Sequence, residues 1–184
     1  ALGSGIDISA PEGNMIVDIG GGSTDVAVIS LGGTVVSKTI RTAGNNFDMD
    51  IIKYIKKTHT LLIGDRTAES IKMQIGTAIP LEEEEIMTIK GRDLITGLPK
   101  SVTVGSEEIR EAIMDSLMEI VTCVKDVLEK TPPELAADII DRGIVMAGGG
   151  SLIRHFPELI AKHTSLNVKI ADSPLESVVK GAGM

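Results

Sequence analysis

A short run near the start of the chain, Asp18-Ile19-Gly20-Gly21-Gly22-Ser23-Thr24-Asp25, combines two acids, three glycines and two hydroxyls. Phosphate oxygens need several donors packed around them. Glycines let the backbone approach closely and turn successive N–H groups toward one anion. The Ser23 and Thr24 hydroxyls could add donors, or place a water near a terminal phosphate. Asp18 closes the apolar run Met15-Ile16-Val17, and its carboxylate could hold a hydrated Mg²⁺, a hard cation that prefers oxygen ligands. The alternative reading is a glycine-rich hairpin turn with Asp25 in solvent.

A second run, Gly148-Gly149-Gly150-Ser151, follows the apolar Ile144-Val145-Met146-Ala147. Here the pattern predicts strand, loop and helix, so bare backbone at a helix start could receive an anionic or flat group. Glycines at such a junction can equally serve close packing alone. Neither run matches Gly-x-x-x-x-Gly-Lys-Ser/Thr, and the first turns into a strand rather than a helix. Both points argue against a P-loop or a Rossmann fingerprint.

The elements that must position these runs follow from periodicity. Asn14–Ile19 predicts a buried strand and Thr24–Leu31 an alternating one, and Gly32-Gly33 supplies a tight turn into a third strand, Thr34–Thr42. Asn45 or Asn46 is expected to cap a helix over Asp48–Lys57 with Ile51, Ile52 and Ile55 on its apolar face. A second helix is expected over Thr67–Ile75, ended by Gly76 and Pro80. Glu82–Glu85 reads as a solvated acidic surface, and Ile86–Lys90 and Ser101–Val104 as paired strands joined by a polar loop. The clearest helix is Glu107–Lys130, with Ser106 as its cap and Ile109, Ile113, Leu117, Ile120, Val121, Val124 and Leu128 as a continuous stripe. Thr131-Pro132-Pro133 stops it. Gly143–Ala147 predicts a strand, Ser151–His163 a helix, Asn167–Ala171 a strand and Pro174–Lys180 a last helix. Strand–helix alternation thus resumes after a middle insertion, the order expected of an α/β domain interrupted by a smaller lobe.

Composition narrows the function classes. With 42% hydrophobic residues the chain can bury a core, and with 2% aromatic residues that core must be aliphatic. A net charge of −8 disfavours counterion-release binding to nucleic acid. The single Cys123 allows no intrachain disulfide, and no apolar run approaches the roughly 18 residues that span a bilayer. His59, His155 and His163 are scattered without ligand spacing, which disfavours zinc. Cys123 reads as a small apolar packing residue.

On these residues the sequence resembles the superfamily of actin, the seventy-kilodalton heat-shock chaperones and the sugar kinases. Asp18–Thr24 resembles its second phosphate motif, Val145–Ser151 its adenosine motif and Ser173–Gly183 its second connecting motif. Within it, Gly13–Gly22, Leu62–Glu69, Gly91–Pro99 and Thr131–Gly143 are similar to stretches of the MreB family. The resemblance implies an α/β fold: half of an actin-like (ribonuclease H-like) ATPase domain, with a mixed sheet, flanking helices and an inserted smaller α+β subdomain. Residues 1–43 and 106–184 would form the core subdomain of the second large domain, and residues 44–105 the inserted one.

By the same resemblance the cofactors would be ATP or ADP with Mg²⁺. Gly20, Gly21, Gly22, Ser23 and Thr24 would contact phosphates, Asp18 would organise Mg²⁺ indirectly, and Asp18 and Ser23 would serve catalysis by arranging water. Gly44 would let backbone approach the ribose, though it could equally be a simple hinge. Glu69, Lys72 and Met73 would contact the nucleoside, against the plain alternative of a Glu69–Lys72 surface ion pair. Gly148, Gly149, Gly150 and Ser151 would complete the cofactor site.

Both ends of the sequence read as cut, so a fragment is expected. The first phosphate motif and the water-polarising glutamate of the family would lie upstream, leaving residues 1–184 a poor or inactive ATPase. The resemblance implies cytoplasmic filaments at the inner membrane face that guide cell-wall synthesis and rod shape. It also implies RodZ- and MreC-like partners, and membrane contact only through the other half. Two other functions stay open at this point: a small-molecule kinase of the same superfamily, and a non-catalytic interaction module.

Overall fold

A computed structural model describes residues 12–171 of the chain. The expected last helix, Pro174–Lys180, and the Ser173–Gly183 motif lie outside the described residues. In chain order the structure begins with β1 (Asn14–Ile19), β2 (Thr24–Ser30), β3 (Gly33–Ile40) and α1 (Gly44–His59). Then come β4 (Leu61–Leu62), α2 (Asp65–Ile75), β5 (Ile86–Asp93), β6 (Pro99–Gly105) and α3 (Ser106–Glu129). The described chain ends with α4 (Pro133–Arg142), β7 (Ile144–Ala147), α5 (Phe156–Thr164) and β8 (Val168–Ile170).

Two compact units divide these elements. The first holds residues 12–44, 118–152 and 156–171, and the second holds residues 45–117 and 153–155.

In the first unit a five-stranded sheet runs in the order β3-β2-β1-β7-β8. β1 is central, antiparallel to β2 and parallel to β7. A strand covered on both faces has no polar side to present, which is why Met15, Ile16, Val17 and Ile19 are all buried. β2 alternates, with Val26 and Val28 buried and Asp25 exposed. β3 is a mostly exposed edge strand, and its Lys38 pairs with Asp126 of α3 at 2.7 Å; a charge on a free edge discourages further strand addition. The β2–β3 turn is formed by Leu31 and Gly32, both at positive φ (52° and 75°), one residue earlier than the expected Gly32-Gly33. That is the two-residue geometry whose twist suits a hairpin.

Several helix starts differ from expectation. α1 begins at Gly44, so Asn45 and Asn46 lie inside its first turn rather than capping it, and its buried stripe is Phe47, Ile51 and Ile55. Ser106 opens α3, but its hydroxyl accepts the Glu85 N–H (3.1 Å) instead of a helix N–H. Glu108 reaches back to accept the Gly105 N–H at 3.2 Å, the reciprocal half of a capping box. α4 was not expected; the proline pair that ends α3 also starts it, since proline's missing N–H is harmless in a first turn.

The second unit contains the antiparallel sheet β4-β5-β6. Its β5–β6 turn is built on Asp93, whose two carboxylate oxygens accept the Ile95 N–H and the Thr96 hydroxyl, both at 3.1 Å, while Gly97 takes φ 74°. These bonds hold the Asp93 carboxyl below its ordinary range. Glu85, in the acidic stretch expected to be simply solvated, accepts both guanidinium nitrogens of Arg154 at 2.8 and 2.6 Å. His59 Nε2 lies 2.5 Å from Glu108 Oε1. No helix among the described residues is long and apolar enough to cross a membrane.

Candidate functional site

The two glycine runs meet in the first unit because β1 and β7 are parallel neighbours. Their register pairs Asp18 with Ala147, so both runs leave the sheet at the same end of adjacent strands. Contact there is close. A Cβ on Gly148 would strike the Ile19 carbonyl and lie 2.6 Å from Asp18 Oδ1, and Gly148 takes φ 83°. A Cβ on Gly150 would strike the Ile19 side chain. Both glycines are therefore required by packing, and Gly148 by its backbone conformation as well.

Asp18 sits near the end of β1 and is half-buried. Antiparallel register places Asp25 of β2 directly opposite it. Burial, and then the Asp25 charge, push the Asp18 carboxyl above its ordinary range. Two like charges opposed on one strand pair are unfavourable unless a proton or a cation relieves them. The donor set suits Mg²⁺, which keeps several waters and takes few protein carboxylates. When bound, that ion would supply charge neutralisation at a phosphate, and Asp18 would hold its hydration shell.

The first loop is a hairpin closed by the Gly20 N–H donating to Ser23 O at 3.0 Å. Gly21 and Gly22 are exposed at its tip, and no atom lies within 4 Å of where a Gly22 Cβ would stand. Gly20 O accepts the Gly44 N–H at 3.0 Å, which ties the start of α1 to this loop. Ser23 is half-exposed, whereas Thr24 is fully buried and donates its hydroxyl to Thr42 O at 2.7 Å. The Thr24 hydroxyl, expected at a phosphate, thus has its proton committed inside the fold.

The second loop differs from expectation. Residues Gly149–Leu152 form a 3₁₀ turn, and a regular helix begins only at Phe156. Ser151 is buried, and its N–H and hydroxyl both donate to Gly148 O, at 3.2 and 2.6 Å. Its side chain therefore locks the loop from within. Gly149 alone in the triplet is exposed.

Glu69, Lys72 and Met73 lie on α2 in the second unit. Lys72 pairs with Asp48 of α1 at 2.9 Å. Glu69 is exposed, and Met73 is 73% exposed, an unusual position for an apolar side chain. Cys123 is buried, and that burial pushes its thiol up, which suits a packing residue. Sequence reasoning passed over Asp48 and Thr42, which carry no local motif.

Comparison with known proteins identifies the relatives. The family model for the MreB/Mbl protein matches residues 1–184. The cell shape-determining protein Mbl of Bacillus subtilis is 49% identical over 184 residues, covering 100% of this chain and 55% of Mbl. The cell shape-determining protein MreB of Escherichia coli K12 is 45% identical over 183 residues, covering 100% of this chain and 53% of that protein. Among solved structures, MreB5 of Spiroplasma citri bound to ADP superposes with a TM-score of 0.96 at 46% identity, covering 100% of this chain and 56% of that one. The MamK double helical filament gives 0.77 at 28% identity, covering 92% and 52%. The fold is thus the actin-like α/β fold, and the chain spans about half the length of the relatives it matches.

Proposed function

The chain belongs to the MreB/Mbl family, and from that premise we propose that it is the nucleotide-binding part of a filament-forming, actin-like cytoskeletal protein. The observation that carries this reading is the meeting of two glycine loops at Asp18, which leaves an exposed glycine tip beside a half-buried carboxylate. In this reading the Gly20–Ser23 backbone and the Ser23 hydroxyl receive the phosphates of ATP or ADP. Asp18 orders hydrated Mg²⁺, and Ser23 orients water. Gly149 presents bare backbone to the cofactor, while Gly148, Gly150, Thr24 and Ser151 act by holding the loops in shape. Gly44 admits the ribose, and Glu69, Lys72 and Met73 contact the nucleoside.

The relatives support the ligand class: MreB5 of Spiroplasma citri has been crystallised with ADP and with AMPPNP. MamK supports self-association, since it forms a double helical filament. The proposal extends to a role in cell-wall synthesis and rod shape at the inner face of the cytoplasmic membrane, with RodZ- and MreC-like partners. Phosphoryl transfer depends on positioning and charge stabilisation around the whole phosphate. Residues 1–184 by themselves are therefore expected to bind nucleotide and hydrolyse it slowly. Calorimetric titration of the chain with ATP, with and without Mg²⁺, tests the binding; a flat titration in both would refute it.

A further inference from the structure

Beside the phosphate loop, three hydrogen bonds within the first unit run in series. The Gly44 N–H donates to Gly20 O at 3.0 Å, and the Thr24 hydroxyl donates to Thr42 O at 2.7 Å. The Thr42 hydroxyl in turn donates to a carboxylate oxygen of Glu119 on α3. Both loop contacts thus converge on the short segment between β3 and α1, which belongs to neither element up to Gly44. α3 is a firm support at this point, since Ile120 and Val121, the next residues, are fully buried.

We propose that Thr42 and Glu119 are positioning residues for the phosphate loop. Glu119 holds the Thr42 side chain, which fixes the main chain of residues 42–44. Those residues hold the loop from both sides, through Thr24 at its base and Gly20 at its start. A loop held in its binding geometry before the anion arrives loses less freedom on binding. The inference rests on the phosphate-binding reading of Gly20–Ser23, but neither Thr42 nor Glu119 is assigned a contact with nucleotide.

The test is MgATP affinity, measured by calorimetry on the full chain for wild type, Thr42→Val, Thr42→Ser, Glu119→Leu and the Thr42→Val/Glu119→Leu pair. Loss of one such bond should raise Kd about fivefold. Thr42→Ser, which keeps the hydroxyl, should bind as wild type does, and the double variant should be no weaker than either single one. That rescue separates positioning from a general packing defect, which serine would not cure. Wild-type affinity in Thr42→Val, or additive losses in the double variant, would overturn the proposal. A wild-type chain that fails to bind MgATP would overturn the phosphate reading and take this inference with it.

Discussion

Gly148 follows Ala147, the partner of Asp18 in the parallel β1–β7 pair, and lies so close that a side chain on Gly148 would begin 2.6 Å from the Asp18 carboxylate. This contact joins the two glycine runs into one site. It also makes the two triplets unequal, because Gly148 is confined by packing while Gly22 is open.

Alanine substitution should expose that inequality. Gly148→Ala combines a positive φ of 83° with a clash against Ile19 O, and should cost about 2–4 kcal/mol of stability. Gly22→Ala meets nothing and should stay within about 0.5 kcal/mol of wild type. Urea unfolding of the two variants measures both. Equal stability would mean that the loops do not pack as described.

Removing Asp18 should abolish the response to the metal rather than the fold. Wild type is expected to lose ATP affinity when EDTA replaces Mg²⁺, and losing a group that orders a metal's surroundings typically costs about tenfold or more in metal affinity. Asp18→Asn should bind ATP equally with and without Mg²⁺, as read by titration calorimetry. A variant that retains the full Mg²⁺ dependence would remove Asp18 from the ion's environment.

On α2 the three nucleoside candidates should separate. Lys72→Ala breaks a partly buried pair with Asp48 and should cost about 1–3 kcal/mol of stability. Glu69→Ala and Met73→Ala alter exposed side chains and should leave the melting temperature unchanged while weakening nucleotide binding. Normal affinity in both exposed variants would leave the nucleoside reading of α2 without support.

Acid should destabilise the chain through identifiable carboxylates. Asp93 is held low first by the Ile95 N–H, Asp126 by its hydrogen bond from Lys38, and Glu85 by its hydrogen bond from Arg154. For each, the unfolded chain binds more protons between the folded and ordinary values, so stability rises with pH across that window. Their contribution is complete above the ordinary values, 3.8 for Asp and 4.5 for Glu, and is lost as pH falls through the folded ones. Thermal melts from neutral pH down to about pH 3 should show a decline that is shallower in Asp93→Asn/Asp126→Asn. An unchanged slope would contradict these assignments.

Much of this arrangement is legible in the sequence, and the remainder is hidden for physical reasons. β1 announced itself because a doubly covered strand is apolar throughout, and α3 because its buried residues repeat at the helical period. The Gly148 loop reads in sequence as entering a helix at Ser151, but the buried Ser151 hydroxyl folds back on Gly148 and tightens the turn. α4 was hidden because Pro132-Pro133 signals a stop more loudly than a start. β4 comprises only Leu61–Leu62, too short for any period.

Within the site, the glycines and Asp18 were visible as types, but their meeting depends on β1 lying beside β7, a pairing that no local pattern encodes. The bond from Thr24 to Thr42 and the pair of Lys72 with Asp48 are likewise tertiary facts. A hydroxyl beside glycines looks like a phosphate donor until its proton is found elsewhere.

The central claim, that the Gly20–Ser23 tip receives nucleotide phosphate, is tested most directly by calorimetric titration of MgATP into wild type and Gly22→Asp. The new side chain has room at an open tip, so the fold should be retained, while its negative charge would oppose a phosphate. The account predicts saturable one-site binding by wild type and an affinity loss of about tenfold or more in the variant, with the melting temperature unchanged. Equal affinity in the two proteins would contradict it.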